Sequence, residues 1–392
     1  VCSSDLVLVM LIKNADVYQN LTGSFSVCDL RIENGMIADM GSLSCAEGEN
    51  CIDATGCYIV PGLVDVHTHG RAGQDFVGCT GEAPLHPVAA AYASHGITTV
   101  MPTLASAPFA QMQAAAKSIC NFTPAPGEAN FCGVHLEGRY LNPAKKGAHA
   151  PELLAPLDPQ ELESFRSCHP LHITAALELD AGGHFAARAL SLGATLGLGH
   201  TAANYAQAKE AEANGISSYT HLFNAMPPLH HRDGGAVCAA LEGDRYAELI
   251  CDGIHISPEM IRLVYRLKGA KRTVLVSDSM EATDMPDGEY AIAGNPAVVR
   301  DGRAYTPEGA LAGSTLSLAQ AVENLMAFCG ISLEEAILCA TENPAREVGV
   351  FDVCGSIDVG KRADLLFLKD TKRMDIRRIL LRGEWVTPFG KG

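Results

Sequence analysis

The sequence predicts an α/β fold: a (β/α)8 TIM-like barrel joined to a small β-sandwich domain that both chain termini build. Apolar, β-favouring runs alternate with helical stretches through the middle of the chain, and this alternation implies parallel βα units. Short strand-like runs broken by turn residues occupy both ends. At 392 residues, the chain also exceeds the usual size of a single core, which favours one large domain and a smaller one.

The two terminal segments read as strands separated by Gly, Asn, Asp and Lys. The N-terminal runs are 7–12, 29–32, 36–40 and 57–60, and the C-terminal runs are 355–359, 363–368 and 377–385. We expect residues 1–60 and 351–392 to form the small β-domain and residues 61–350 to form the barrel.

The central runs carry polar residues capable of chemistry at or near their ends. Eight such runs are 64–69, 97–103, 131–137, 172–178, 194–200, 218–223, 247–252 and 273–278. Helical stretches include 83–95, 159–167, 205–214 and 258–267, followed by 316–329 and 333–340. Because barrel enzymes place their active sites at the C-terminal ends of the strands, we expect these polar residues to meet at one rim.

The net charge and the cysteine pattern limit the classes of function that the chain can have. The formal net charge of −16 excludes a general nucleic-acid surface, since a phosphate backbone demands an excess of Lys and Arg. The apolar stretch 7–12 is far too short to span a bilayer, so we expect no membrane partner.

The 14 cysteines show no C-x-x-C pair and no signal peptide precedes them, which predicts reduced thiols and a cytoplasmic location. Cys45, Cys51 and Cys57 recur every six residues, but without neighbouring ligands we do not expect zinc there.

Two histidines on the first predicted barrel strand form the first candidate metal pair. His67 and His69 lie at i and i+2, so both side chains point to the same face of the strand. One metal ion can then take both imidazoles. Such a pair can also sit on a solvated strand edge, but its place on the first barrel strand favours the metal site.

Three further candidates lie at the ends of later strands. Glu137, His200 and His221 offer a carboxylate and two imidazoles, which suit zinc or another divalent first-row metal. Each residue alone could be structural. Their joint position at one rim favours a metal site, because several unpaired polar groups there would otherwise lack partners.

Asp278 ends the eighth predicted strand and is the candidate general base. A carboxylate beside a metal-activated water can take its proton and later pass it to a leaving amine. The alternatives are an N-cap for the next helix or a plain metal ligand.

Motifs spread along nearly the whole chain share one further pattern. They are 61–70 (PGLVDVHTHG), 135–138 (HLEG), 145–149 (KKGAH), 199–201 (GHT), 220–226 (THLFNAM), 252–255 (DGIH), 276–278 (VSD) and 311–316 (LAGSTL). Together they resemble the amidohydrolase superfamily, and within it the deacetylases of N-acetylated amino-sugar phosphates. The resemblance implies a metal-dependent hydrolase that removes the acetyl group from N-acetylglucosamine 6-phosphate.

The same resemblance implies a metal set. Glu137, His200 and His221 would bind one divalent ion, Zn²⁺ first, with Fe, Mn or Co as alternatives. Because His67 and His69 are present, a second ion bridged through Glu137 is also implied, with Asp278 beside it.

It implies a substrate site and a partner as well. The implied contacts are Ala148, His149, Asn224, Ala225, Arg232, Asp252, Gly253, Ile254, His255, Leu311, Ala312 and Gly313. His149 would stabilise the oxyanion, although it and His255 could instead be buried histidines bonded to backbone. Arg232 would bind the phosphate and reach the neighbouring subunit's site, which implies a homodimer; otherwise it is a surface ion-pair residue.

Some positions depart from the pattern and leave rival functions open. Gly138 is followed by Arg139 and Tyr140 where we expect a proline and an aromatic residue, and Ser277 and Ser279 flank Asp278 where Thr and Ala are commoner. These changes could alter substrate preference. The rivals are an N-acyl-amino-acid deacylase, a cyclic-amide hydrolase, which often uses a carboxylated lysine where Glu137 stands, and a sugar-phosphate sensor without turnover.

Overall fold

A computed structural model describes residues 9–390 of the chain. The strands are β1 Val9–Gln19, β2 Ser24–Glu33, β3 Met36–Gly41, β4 Asn50–Asp53, β5 Tyr58–Pro61, β6 Leu63–Thr68, β7 Gly70–Arg71, β8 Gln74–Asp75, β9 Ile97–Ala105, β10 Asn130–Phe131, β11 Val134–Glu137, β12 Leu171–Ala175, β13 Thr195–Leu198, β14 Ser218–Tyr219, β15 Tyr246–Ile250, β16 Thr273–Val276, β17 Gly288–Ile292, β18 Asn295–Arg300, β19 Arg303–Tyr305, β20 Leu365–Leu368, β21 Ile376–Leu381 and β22 Glu384–Val386. The α-helices are α1 Leu85–Ser94, α2 Phe109–Asn121, α3 His184–Ser191, α4 Tyr205–Ala213, α5 Gly235–Glu242, α6 Pro258–Lys268, α7 Leu318–Cys329, α8 Leu333–Leu338 and α9 Glu342–Glu347.

Eight parallel strands form the predicted barrel. Their order is β6-β9-β11-β12-β13-β14-β15-β16, which follows the chain. The last strand, β16, joins the first, β6, through two backbone hydrogen bonds at and beyond their C-terminal ends. The Asp278 N–H donates to the His67 carbonyl at 2.9 Å, and the His69 N–H donates to the Ser279 carbonyl at 2.7 Å. The barrel is therefore closed by backbone groups that belong to, or adjoin, the candidate site residues.

The outer helices carry ordinary start and stop signals. The α4 helix begins at a capping box in which Asn204 and Gln207 satisfy each other's backbone N–H groups. The α6 helix has Pro258 in its first turn and ends at Gly269, whose φ of 66° few other residues adopt easily. Such helices cover the barrel and bury an apolar face against it, for example through Ile261 and Val264.

The barrel strands are shorter than the predicted runs. The strand predicted over 172–178 ends at Ala175, the strand over 194–200 ends at Leu198, and the strand over 218–223 spans only Ser218–Tyr219. His200 and His221 therefore follow their strands instead of ending them. The helix predicted over 159–167 is a 3-10 turn, Glu161–Phe165.

The predicted small domain is a sheet built from both ends of the chain. Its order is β22-β21-β20-β5-β1-β2-β3, with β4 paired to β1. Its own core includes Ile12, Leu30 and Phe367. The predicted strand 7–12 begins outside the described residues, and the domain boundaries at residues 60 and 350 stay predictions.

One predicted C-terminal strand is wrong. Residues 355–359 form no strand, because the segment is a turn between Gly355 and Gly360, whose φ angles are 85° and 89°. The Ser356 hydroxyl bonds to the Asp358 carboxylate within this turn, which holds it away from an extended conformation.

A small antiparallel sheet was not predicted. The β17, β18 and β19 strands lie between the last barrel strand and α7. They pack Ile292, Ala297 and Val299 against Met280 in a separate small core. The Asp301-Gly302 turn between β18 and β19 was the available signal, since Asp-Gly is typical of tight hairpins.

The expectation that all cysteines are reduced is wrong for one pair. Cys45, in the loop between β3 and β4, forms a disulfide with Cys51 in β4, and their Cα atoms lie 6.4 Å apart. Cys57 is a free thiol packed at the core of the terminal sheet.

Among residues 9–390, no helix has the length and apolar character needed to cross a membrane.

Candidate metal centre and active site

The six residues predicted to carry chemistry converge at the C-terminal rim of the barrel. His67 lies in β6, Glu137 ends β11, and His69, His200, His221 and Asp278 lie one or two residues beyond the ends of β6, β13, β14 and β16. All six side chains are buried. Strands that are far apart in sequence thus deliver one compact polar cluster, as barrel geometry requires.

Glu137 lies at the centre of this cluster. Its Oε1 is 2.8 Å from the His221 Nε2 and 3.2 Å from the Nε2 atoms of both His200 and His67. Its Oε2 is 3.0 Å from the His69 Nε2. Four imidazoles therefore face one carboxylate, each through the same ring atom.

Hydrogen bonds on the outer side of two of these rings set their tautomers. The His200 Nδ1–H donates to the Lys145 carbonyl at 2.9 Å, and the His67 Nδ1–H donates to the Glu248 Oε2 at 2.9 Å. In the neutral rings, each Nε2 then carries a lone pair directed at the cluster.

Those lone pairs make the cluster fit a divalent cation. The His200 and His221 Nε2 atoms are 3.1 Å apart, and the His67 Nε2 is buried without a hydrogen-bond partner. The Nε2 lone pairs of His67 and His200 point at the Glu137 carboxylate, and they repel it unless a cation lies among them. An imidazole and carboxylate donor set suits zinc and similar first-row metals.

The two carboxyl groups are held ionised by their neighbours. Burial raises the pKa of Glu137, but the histidines that face it, His67 first, outweigh burial and hold that pKa well below its usual range. Burial likewise raises the pKa of Asp278, and the neighbouring His69 reverses the effect and lowers it. The Asp278 Oδ1 is 3.1 Å from the His69 Nε2.

Asp278 cannot be an N-cap, because no helix follows it until α7.

The backbone is strained where it presents these side chains. His200, His221 and Asp278 have positive φ angles of 47°, 29° and 49°, and Phe223 and Ala225 nearby have φ angles of 77° and 51°. Non-glycine residues adopt this region at a cost of about 1–3 kcal/mol each, and such strain gathers at functional sites.

A cavity of about 290 Å³ opens above the cluster. Seven of the predicted substrate residues line it: Ala148, His149, Asn224, Ala225, His255, Leu311 and Gly313. Ile292, the last residue of β17, and Ala293, in the turn that follows it, form another part of the cavity wall. The volume is at the lower limit of small-molecule sites, which span about 300–1,000 Å³.

All but one of the remaining predicted substrate residues lie next to this cavity; the exception is Arg232. Asp252 and Ile254 line an adjoining cavity, and Asp252 accepts a hydrogen bond from the His255 Nδ1 at 2.7 Å. Gly253 forms the turn between them with a φ of 74°, and Ala312 is fully buried behind the loop. These residues therefore support the cavity wall and orient His255.

His149 is buried beside the cluster and faces the cavity. Its Nε2 is 3.8 Å from the Glu137 Oε2, and its Nδ1 lies against Ser106. Burial, with a smaller effect of the neighbouring His200, lowers the pKa of His149 to about 3. Its imidazole is therefore neutral.

Arg232 does not reach the cavity of its own chain. The residue is exposed, and its Nη1 lies 2.9 Å from the His231 Nε2. The structure describes one chain, so the predicted reach into a neighbouring subunit stays a prediction.

The departures from the family pattern point away from the cavity. The Arg139 Nη2 and the Tyr140 hydroxyl bind the Glu161 carboxylate at 2.7 and 3.0 Å. The Ser279 hydroxyl donates to the Gly70 carbonyl at 3.0 Å. None of these side chains lines the cavity.

Two supporting residues were missed by sequence reasoning. Glu248 holds His67, and Ser106 contacts His149. A glutamate inside the apolar run 247–252 was a usable signal, since an unpaired carboxylate is rarely placed in a barrel strand. Ser106 follows β9 and carries no comparable signal.

Comparisons with known proteins agree with this geometry. The chain matches the model of the Amidohydrolase family over residues 58–386. It is 36% identical to the N-acetylgalactosamine-6-phosphate deacetylase of Escherichia coli O157:H7, across 91% of this chain and 93% of that relative. It is 34% identical to the N-acetylglucosamine-6-phosphate deacetylase of Vibrio furnissii, across 85% of this chain and 84% of that relative. The crystal structure of N-acetylglucosamine-6-phosphate deacetylase from Pasteurella multocida has a TM-score of 0.87 at 28% identity, across 96% of this chain and 99% of that one.

We predict that His200→Ala and His221→Ala each lose most of the divalent metal that the purified protein binds, because each removes a nitrogen from the cluster around Glu137. Inductively coupled plasma mass spectrometry of matched samples measures this. The control is His86→Ala, since the partly exposed His86 bonds to Glu128 on the outside of the barrel. Equal metal content in all variants would refute the assignment.

Proposed function

This chain belongs to the amidohydrolase family, and on that premise we propose that it hydrolyses N-acetylglucosamine 6-phosphate to glucosamine 6-phosphate and acetate. The observation that supports the proposal best is the convergence of Glu137 and four histidines beside a general-base candidate, Asp278, at the floor of a cavity. Relatives that act on N-acetylated hexosamine 6-phosphates match the chain over most of its length.

Glu137, His200 and His221 would hold one divalent cation, and His67 and His69 could hold a second through the same carboxylate. Zinc is the first candidate by donor type, with Fe, Mn or Co as alternatives. A cation bound here polarises an amide carbonyl and lowers the pKa of a water molecule.

The protein's own groups supply the proton transfers and the orientation. Asp278 takes a proton from the attacking water and returns it to the departing nitrogen, so that the same carboxylate acts as base and then as acid. The neutral His149 imidazole donates a hydrogen bond to the carbonyl oxygen as negative charge develops on it. The C–N bond then breaks, and acetate and the free amine leave.

The phosphate would be bound at the far end of the substrate from this chemistry. Asn224, Ala225 and His255 line the cavity beyond the cluster, and the proposed homodimer adds Arg232 from the neighbouring subunit. A planar guanidinium suits a phosphate dianion. Binding of this remote group holds the amide over Asp278 and His149.

N-Acetylgalactosamine 6-phosphate is a second candidate substrate. The relative from Escherichia coli O157:H7 that carries this name is 36% identical to the chain. The proposed compartment for either reaction is the cytoplasm, since most of the cysteines in the described residues are free thiols.

The deciding test is acetate release from a panel of substrates by the metal-loaded protein. The panel holds the 6-phosphates of N-acetylglucosamine and N-acetylgalactosamine, unphosphorylated N-acetylglucosamine, an N-acetyl-amino acid and a cyclic amide. We expect kcat/KM to be highest for N-acetylglucosamine 6-phosphate. A higher value for the galactosamine compound would transfer the assignment to the second candidate, and turnover of only the last two would overturn both.

We predict that Asp278→Asn lowers kcat by about 10²- to 10⁴-fold, because it removes the proton acceptor and donor. Bound metal should stay unchanged, since the amide keeps the size of the side chain. Kinetics and metal analysis of one sample measure both quantities. Loss of the metal would instead make Asp278 a plain ligand, and full turnover would exclude it as the base.

We predict that Arg232→Ala raises KM for the phosphorylated sugar far more than for unphosphorylated N-acetylglucosamine, because only the first carries the anion. Co-expression with Asp278→Asn tests the contribution from a neighbouring subunit. If Arg232 acts across the interface, a hybrid dimer has one site in which both residues are intact. Acetate release at substrate concentrations below the KM of the Arg232→Ala variant is then restored. If Arg232 acts within its own chain, no hybrid site is intact and none returns.

A further inference from the structure

Ser106 lies between His149 and the backbone that follows Glu137. Its hydroxyl oxygen is 2.9 Å from the His149 Nδ1 and accepts the Arg139 N–H at 3.2 Å. The backbone N–H of Ser106 also donates to the His149 Nδ1, at 3.3 Å. Ser106 and His149 are both buried, so water does not compete for these bonds.

The donors in this arrangement leave a single consistent set of protons. A backbone N–H can only donate, so the Ser106 N–H requires a lone pair on the His149 Nδ1. The Ser106 hydroxyl already accepts from the Arg139 N–H, and its own proton is then free to point at the same lone pair. A proton on the His149 Nδ1 would oppose the Ser106 N–H. With Nδ1 unprotonated, the ring carries its proton on Nε2.

We propose that Ser106 is a positioning residue that fixes His149 as the Nε2–H tautomer and aims that N–H into the cavity. This inference rests on the proposed function, because it explains how His149 can donate to a developing oxyanion. It also separates His149 from the ligand histidines. Its Nε2 lies near Glu137 and His200 in an arrangement that could hold a metal ion, but a protonated Nε2 cannot ligate.

The surrounding backbone holds Ser106 in this position. Glu137 pairs with Ala105 in the parallel β11 and β9 strands, so the next residues of each strand lie side by side. A Cβ on Gly138 would lie 2.6 Å from the Ser106 nitrogen, which means that glycine alone permits this approach. Arg139 has a φ of 69°, and its guanidinium is fixed by the Glu161 carboxylate and by the Phe109 ring, 4.7 Å away. Its N–H is therefore held toward Ser106.

The direct test reads the ring nitrogens of His149 by ¹⁵N NMR in the zinc-loaded, histidine-labelled protein, with His149→Gln to identify its signals. In the unsubstituted protein, we expect an unprotonated Nδ1 and a protonated Nε2. Ser106→Ala keeps the backbone N–H, which is 3.3 Å from the His149 Nδ1, but loses the shorter hydroxyl contact of 2.9 Å, so we expect a partial shift toward the Nδ1–H tautomer. In Ser106→Thr, which keeps the hydroxyl, we expect the original pattern. A protonated Nδ1 in the unsubstituted protein, or no change in Ser106→Ala, would overturn the proposal.

Kinetics give the second arm of the same test. Loss of a residue that orients a catalytic group costs about 10- to 100-fold in activity, so we expect kcat of Ser106→Ala to fall in this range with little change in KM or bound metal. Ser106→Thr should recover most of the loss. A parallel loss of metal or of thermal stability would show a merely structural role. Because the NMR arm needs no substrate, it can fail while the deacetylase proposal stands, and it can succeed if another amide proves to be the substrate.

Discussion

The Glu137 carboxylate, buried at the rim of the barrel and faced by four imidazole nitrogens, is the interaction on which the rest of the site depends. An isolated carboxylate in such a place would be costly, and neutral imidazole lone pairs around it would raise the cost further. The residues around Glu137 reduce this cost in two ways. Glu248 and the Lys145 carbonyl accept hydrogen bonds from the Nδ1–H groups of His67 and His200. The Nε2 atoms of these two rings are then available as ligands for a cation.

The barrel and the site share the same backbone groups. The hydrogen bonds that join the last strand to the first run from Asp278 to His67 and from His69 to Ser279. Three of the residues in these bonds are site residues, and Asp278 adopts a positive φ as it forms one of them. Closure of the barrel therefore stabilises the strained backbone that presents the Asp278 carboxylate, and local strain is offset by the fold as a whole.

The sequence was sufficient to predict the features that depend on the alternation of strand-like and helical runs and on their order along the chain. Alternating runs predict the eight strands, and the rule that active sites lie at strand C-termini brings His67, Glu137, His200, His221 and Asp278 to one rim. It was insufficient wherever a partner lies far along the chain. Glu248 meets His67 across 181 positions, and Ser106 meets His149 across 43. Strand ends were also misplaced, because His200 and His221 sit on left-handed turns that no apolar pattern marks.

Discrimination between the two candidate sugars must come from another part of the cavity. The two compounds share the acetamide and the phosphate and differ in the configuration of one ring hydroxyl, so the groups around Glu137 and His149 treat them alike. A side chain that hydrogen-bonds that hydroxyl can reject the other epimer strongly, whereas an apolar wall discriminates weakly. Ile292, Ala293 and Leu311 form such an apolar wall. The polar side chains of Asn224 and His255 are then the positions from which a preference between the two sugars can arise.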